Sequence, residues 1–177
     1  MGVLTRRHHY HAVAKAFHWL VAVFVFFVWP LGFLTGLVKS NVSNDFFFWH
    51  ESLGFTVFWL MAMRLCVRFL TAKPAKPLGM PRWQKITAYT NQWLLYIALL
   101  CQPVIGFLLT NAHGFAFRWF GVIPVWSPIG QSSALGSALA IAHQYLAWLI
   151  LALIVLHIGG ALYHRVVRGD DTLARMT

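Results

Sequence analysis

Four histidines sit inside long apolar runs: His18, His50, His143 and His157. An ionisable side chain within hydrocarbon is expensive and marks a functional site by default. Neutral imidazole binds transition metals and serves as an axial ligand of haem iron. The spacing of the last two is informative. Fourteen residues at about 100° each return to within about 40° of the starting direction, so His143 and His157 share one helix face, about 21 Å apart along its axis. One helix can therefore present an imidazole toward each side of a bilayer. Arg64 and Arg68 lie fourteen and eighteen residues after His50. That places both near the His50 face, about 21 and 27 Å along the axis toward the other side.

Residues so placed need long membrane helices to hold them. The 177-residue chain is 59% hydrophobic and 16% aromatic, with a mean hydropathy of +0.66. Only 10% of residues are charged, against about 25% in soluble domains, which excludes a soluble globular protein. The aromatic content excludes a disordered chain. Four apolar segments reach the roughly 20 residues that a spanning helix needs, at about 16–38, 46–70, 86–110 and 134–163. The first is too long for a cleaved signal peptide. Pro30 and Pro103 fall within spans one and three, where proline is tolerated and bends a helix. The expected fold is all-α, an integral membrane four-helix bundle forming a single transmembrane domain over 1–177.

Basic residues set the orientation. Arg6, Arg7 and Lys15 precede span one. Arg64, Arg68, Lys73, Lys76, Arg82 and Lys85 surround the connection between spans two and three, and Arg165, Arg168 and Arg175 follow span four. Only Lys39 and Arg118 fall on the other side, twelve against two. Both termini are expected to be cytoplasmic. The net charge of +10 is this asymmetry together with attraction to anionic lipid. No basic patch on a soluble domain suggests nucleic acid.

With this topology, His18 matches His157 in depth on the inner side, and His50 matches His143 on the outer side. Two histidine pairs at two depths are what two stacked b-type haems require. Other metal chemistry lacks donors. The single glutamate, Glu51, excludes a di-iron carboxylate site, and no cysteine–histidine cluster suits zinc. Cys66 and Cys101 read as small core residues. Arg64, and with it Arg68, is expected to face the inner haem's propionates, since guanidinium pairs bidentately with carboxylates. His164, seven residues beyond His157, is a candidate proton handler for a quinone. In the outer loop, Phe117, Trp119, Phe120 and Trp126 suit a headgroup-level aromatic belt.

The pattern resembles the bacterial cytochrome b561 family of four-helix dihaem membrane proteins. The similarity rests on FHW at His18, FFFWHESLG at His50, and MRLCVRF with Arg64 and Arg68. It continues through LLYIALLCQPVIGFLL, AHQYLAWLILALIVLH from His143 to His157, and LYHRVVRGDDTLARM at the tail. It covers nearly the whole chain in order. The resemblance implies two haem b groups, ligated by His18 with His157 and by His50 with His143. It implies a multi-pass protein of the bacterial inner membrane exchanging electrons with ubiquinone. It also resembles the branch containing superoxide oxidase, in which periplasmic superoxide gives its electron to the outer haem. Gln92 stands where members of the family often carry a histidine. Arg118 is the candidate for steering anionic superoxide.

Two other readings remain open. One is a membrane subunit passing electrons from a partner dehydrogenase or hydrogenase to quinone. The other is a colourless four-span transporter or structural protein, whose histidines could be replaced without loss of a cofactor. A homodimer is the default oligomer.

Overall fold

The sequence builds four helices, each long enough to cross hydrocarbon with a margin at both ends. The computed structural model describes residues 10–38, 41–72 and 80–176. Arg6, Arg7, Lys39, Lys73 and Lys76, which contributed to the charge count, lie outside the described residues. Helix α1 is Ala12–Leu37, α2 is Asn41–Leu70, α3 is Arg82–Ala112 and α4 is Ser133–Val166. At 26 to 34 residues they are about 39 to 51 Å long, against about 30 Å of hydrocarbon. All four are long and apolar enough to span. The protein is an all-α transmembrane four-helix bundle.

The helix ends carry recognisable caps. His11 accepts the Val13 amide at the start of α1, and Ser132 accepts the Leu135 amide at the start of α4. Both α1 and α3 continue through their internal prolines, Pro30 and Pro103. Helix α2 begins at Asn41, earlier than hydropathy placed it. Its first turn is polar and stands outside the apolar span, and Ser43 Oγ donates to the Thr35 carbonyl across the connection.

Close packing runs α1 on α2, α2 on α3 and α3 on α4. One buried cluster joins Val21, Val57, Leu60, Met61 and Tyr96; a second joins Ala98, Ile150 and Leu153. Both lie, by sequence position, between the outer and inner histidine levels. The outward faces are apolar: Phe26 is 73% exposed and Leu70 83%, as a lipid solvent allows. Cys66 and Cys101 belong to these exposed faces rather than to the core. A cysteine behaves as a small hydrophobe, and hydrocarbon is as good an environment for it as protein.

The outer loop between α3 and α4 contains a short hairpin. Strand β1, Arg118–Trp119, pairs antiparallel with β2, Ile123–Pro124. The turn requires positive φ at Phe120 and Gly121, and the strained Phe120 is held because its amide donates to the buried Ser52 hydroxyl of α2. Trp119 donates to Thr56 of the same helix. Phe117 is buried against Phe55 and Phe107. So Phe117 and Trp119 lock the hairpin onto the bundle instead of joining an aromatic belt. Trp126, exposed at 82%, and Phe120 face outward.

Candidate functional site

The fold brings the four intramembrane histidines together in two pairs. His18 of α1 and His157 of α4 have ring centroids 6.1 Å apart; His50 of α2 and His143 of α4 are also 6.1 Å apart. Helix α4 contributes one imidazole to each, as the fourteen-residue spacing predicts. Yet α4 packs closely only on α3. Its histidines reach α1 and α2 across a gap bridged by side chains, among them Trp29, whose indole donates to the Ala147 carbonyl at 3.1 Å and whose ring lies 5.4 Å from Trp148.

The outer pair borders a cavity of about 460 Å³, lined also by Glu51, Gln102, Thr110 and His113. His50 Nδ1 donates to the Val28 carbonyl at 2.8 Å. A carbonyl can only accept, so Nδ1 carries the hydrogen and Nε2 is left with its lone pair. Gln102 Nε2 donates to the main-chain carbonyl of His143 at 3.0 Å. The ring Nδ1 atoms of His18 and His143 are buried without a hydrogen-bond partner.

Beside the inner pair stands Arg64. Its charge is felt at both His18 and His157, and its Nε donates to the Tyr96 hydroxyl at 3.1 Å. Neither ion pair found among the described residues involves Arg64. A partly buried guanidinium whose partner is a neutral phenol is suited to an anion. The Arg64 guanidinium also lies over the Tyr96 ring, at 5.3 Å, a ring it shares with Arg68. Arg68 lies over the rings of Trp93 and Tyr96, each at 5.1 Å, with its Nε buried and unpartnered.

His164 is buried at the end of α4, where Nδ1 meets Asp170 Oδ2 at 2.6 Å. Gly169, at φ +62°, turns the tail back, a conformation glycine adopts at little cost. The tail then reaches α1: Trp19 Nε1 donates to the Met176 carbonyl, and the Tyr10 amide to the Arg175 carbonyl. Burial raises the Asp170 carboxyl, but hydrogen bonds from Thr172 and His164 outweigh it and hold the group at about 2, below its usual 3.8. A carboxyl lowered on folding stabilises the fold fully above its unfolded value and loses that contribution as pH falls through the folded one. The tail is thus expected to loosen as pH drops from about 4 toward 2. Hydrogen exchange of segment 167–176 should show this transition, and Asp170→Asn should remove it.

Arg118 is exposed on the hairpin, outside the cavity lining. Its guanidinium donates to the carbonyls of Gly121 and Val122 in its own turn. Among the described residues it is the one Lys or Arg at the outer end.

Facing histidines between the helices of a membrane bundle define a membrane redox protein of the haem-bearing class. The comparisons agree. Residues 9–177 match the family model described as prokaryotic cytochrome b561, and the chain belongs to that family. It is 28% identical to cytochrome b561 homolog 2 of Escherichia coli (strain K12), over 94% of this chain and 90% of the relative. It is 29% identical to cytochrome b561 homolog 1 of the same organism, over 90% and 91%. A protein named probable superoxide oxidase CybB, from Yersinia pestis, is 27% identical over 94% of both chains. The chain is accordingly a multi-pass protein of the bacterial inner membrane, and its function is membrane electron transfer.

The family implies haem b, and the residues present fit it. A metal between two imidazole nitrogens at about 2 Å each requires ring centroids about 6 Å apart, which is the spacing of both pairs. The gap between α4 and its neighbours gives room for a flat macrocycle. The donor set is imidazole alone, and Arg64 offers a cation beside the inner pair.

Proposed function

We propose that this protein is a dihaem b-type cytochrome that moves electrons from a periplasmic donor, superoxide, to ubiquinone. The observation that carries the reading is the pair of histidine pairs, each 6.1 Å across, at two depths of one bundle. In this reading His50 and His143 hold the outer haem, and His18 and His157 the inner one. When bound, the haems supply one-electron storage on the way across the membrane. Two superoxide anions, one ubiquinone and two protons give two dioxygen molecules and one ubiquinol. The name of the Yersinia pestis relative supports superoxide as the donor.

The chain's own residues have distinct tasks. The Val28 carbonyl fixes the His50 tautomer so that Nε2 is the ligating atom. Arg64 pairs with the inner propionates, and Arg68, stacked on Trp93 and Tyr96, adds positive potential behind it. His164, held through Nδ1 by Asp170, exchanges protons with the quinone through Nε2. Arg118 raises the local concentration of anionic superoxide. Both termini face the cytoplasm, so the tail closes the inner end. The protein forms a single domain and works as a homodimer in the lipid bilayer.

A second reading is favoured by one feature. The hairpin tip exposes Val122, Ile123 and Trp126, an apolar surface at the outer end. That suits docking of a partner dehydrogenase or hydrogenase as the electron donor.

The decisive test is an absorption spectrum of the purified protein, oxidised and dithionite-reduced, with haem counted per chain. Two b-type haems support the proposal; a colourless protein after haem-supplemented expression refutes it. Arg64→Ala is expected to shift the inner haem's reduction potential downward, since a cation near the propionates favours the reduced, less positive iron. Redox titration checks this, and an unchanged potential removes the propionate contact. Arg118→Glu should slow superoxide oxidation severalfold at low salt and little at high salt. Stopped-flow rates at two ionic strengths decide between steering and indifference.

A further inference from the structure

Two glycines stand against the outer pair. A Cβ added at Gly32 would lie 2.4 Å from His50 Cε1 and 2.7 Å from Nδ1. A Cβ at Gly106 would lie 2.9 Å from His143 Cε1. Each imidazole therefore rests on bare main chain of the preceding helix. The arrangement repeats: His50 of α2 lies on Gly32 of α1, and His143 of α4 lies on Gly106 of α3.

The two contacts are held differently. In a regular helix the carbonyl four residues earlier takes the glycine amide and keeps a second lone pair. At Gly32 that carbonyl belongs to Val28, and His50 Nδ1 donates to it. At Gly106 it belongs to Gln102. There the His143 Nδ1 is buried without a hydrogen-bond partner. The Gln102 side chain meanwhile holds the His143 main chain. Any side chain at 32 would push the His50 ring off the carbonyl that orients it, and one at 106 would push the His143 ring off the helix it rests on. The inner pair lacks this device: among the described residues, no glycine other than these two brings a Cβ against any of the four paired histidines.

We propose that Gly32 and Gly106 are positioning residues of the outer haem site. They keep open the helix surface on which His50 and His143 are seated, and at Gly32 this preserves the His50 Nδ1–Val28 bond that leaves Nε2 free to ligate. This rests on the dihaem reading given above. The expected effect is selective: Gly32→Ala or Gly106→Ala loses the outer haem, halving haem per chain, while the inner haem's spectrum persists. Gly36→Ala and Gly159→Ala, where an added Cβ meets nothing within 4 Å, should keep the full complement. Retention of both haems with unchanged spectra in Gly32→Ala would overturn the proposal.

A second measurement holds even if the variant accumulates poorly or the chain carries no haem. The added methyl acts through the imidazole, so it should lower the melting temperature of the wild type but not of His50→Ala. An equal loss in both backgrounds would overturn the proposal independently of haem content. A colourless wild type would instead sink the dihaem reading, leaving the melting comparison to judge the glycine–imidazole contact by itself.

Discussion

His50→Ala and His143→Ala are each expected to leave a protein with only the inner haem and with no reaction toward superoxide. The two residues come from different helices, and α4 does not pack closely on α2. Between them the rings are the principal link, at 6.1 Å. Removing either leaves one imidazole facing the 460 Å³ cavity, with half the ligand set. Changes outside the ligands commonly cost about 10–100-fold in affinity; loss of an axial ligand should exceed that. The fold itself should survive, because the two buried clusters that join the helices contain neither histidine. Haem counted per chain, with a superoxide-driven reduction assay, checks the outcome. Two haems retained in either variant would refute the assignment of His50 and His143.

Much of this arrangement could be read from residue spacing. Hydropathy locates four spans because a membrane helix must be apolar over its whole length. The His143–His157 interval forces one helix to serve both depths. What could not be read was what happens outside the hydrocarbon. The first turn at Asn41 is polar, so hydropathy starts span two at about 46, too late. Phe117 and Trp119 are aromatic and near an interface, yet the hairpin turns them inward to Phe55 and Thr56. Composition cannot reveal that turn, which depends on positive φ at Phe120 and Gly121. Arg64 and Arg68 share a face in sequence and meet on the same ring of α3, Tyr96, which spacing within α2 alone cannot reveal. The seats of the outer imidazoles were also missed. Their only sequence signals are a glycine shortly after a proline in each case, Pro30 with Gly32 and Pro103 with Gly106. That repeat becomes visible only once the two helix hairpins are compared.

His18→Ala and His157→Ala are expected to give the opposite half of the phenotype. The inner haem is lost, the outer haem remains reducible, and ubiquinone reduction falls by on the order of 100-fold or more. The reasoning follows the placement of charge and protons. Arg64 stands beside His18 and His157. His164 and Asp170 lie at the same end of α4, under a tail hydrogen-bonded to Trp19, whose ring lies 5.3 Å from His18. An anionic quinone species and its protons would find both a cation and a proton carrier there. The outer cavity is also lined by Glu51 and His113, so the side of quinone reduction is open to direct test. Superoxide-driven reduction of the outer haem should proceed in His157→Ala while ubiquinol fails to form. His164→Gln should keep both haems and slow ubiquinol formation. If His157→Ala still made ubiquinol at the wild-type rate, the quinone would have to meet the outer haem, and the inner pair would not lie on the electron path.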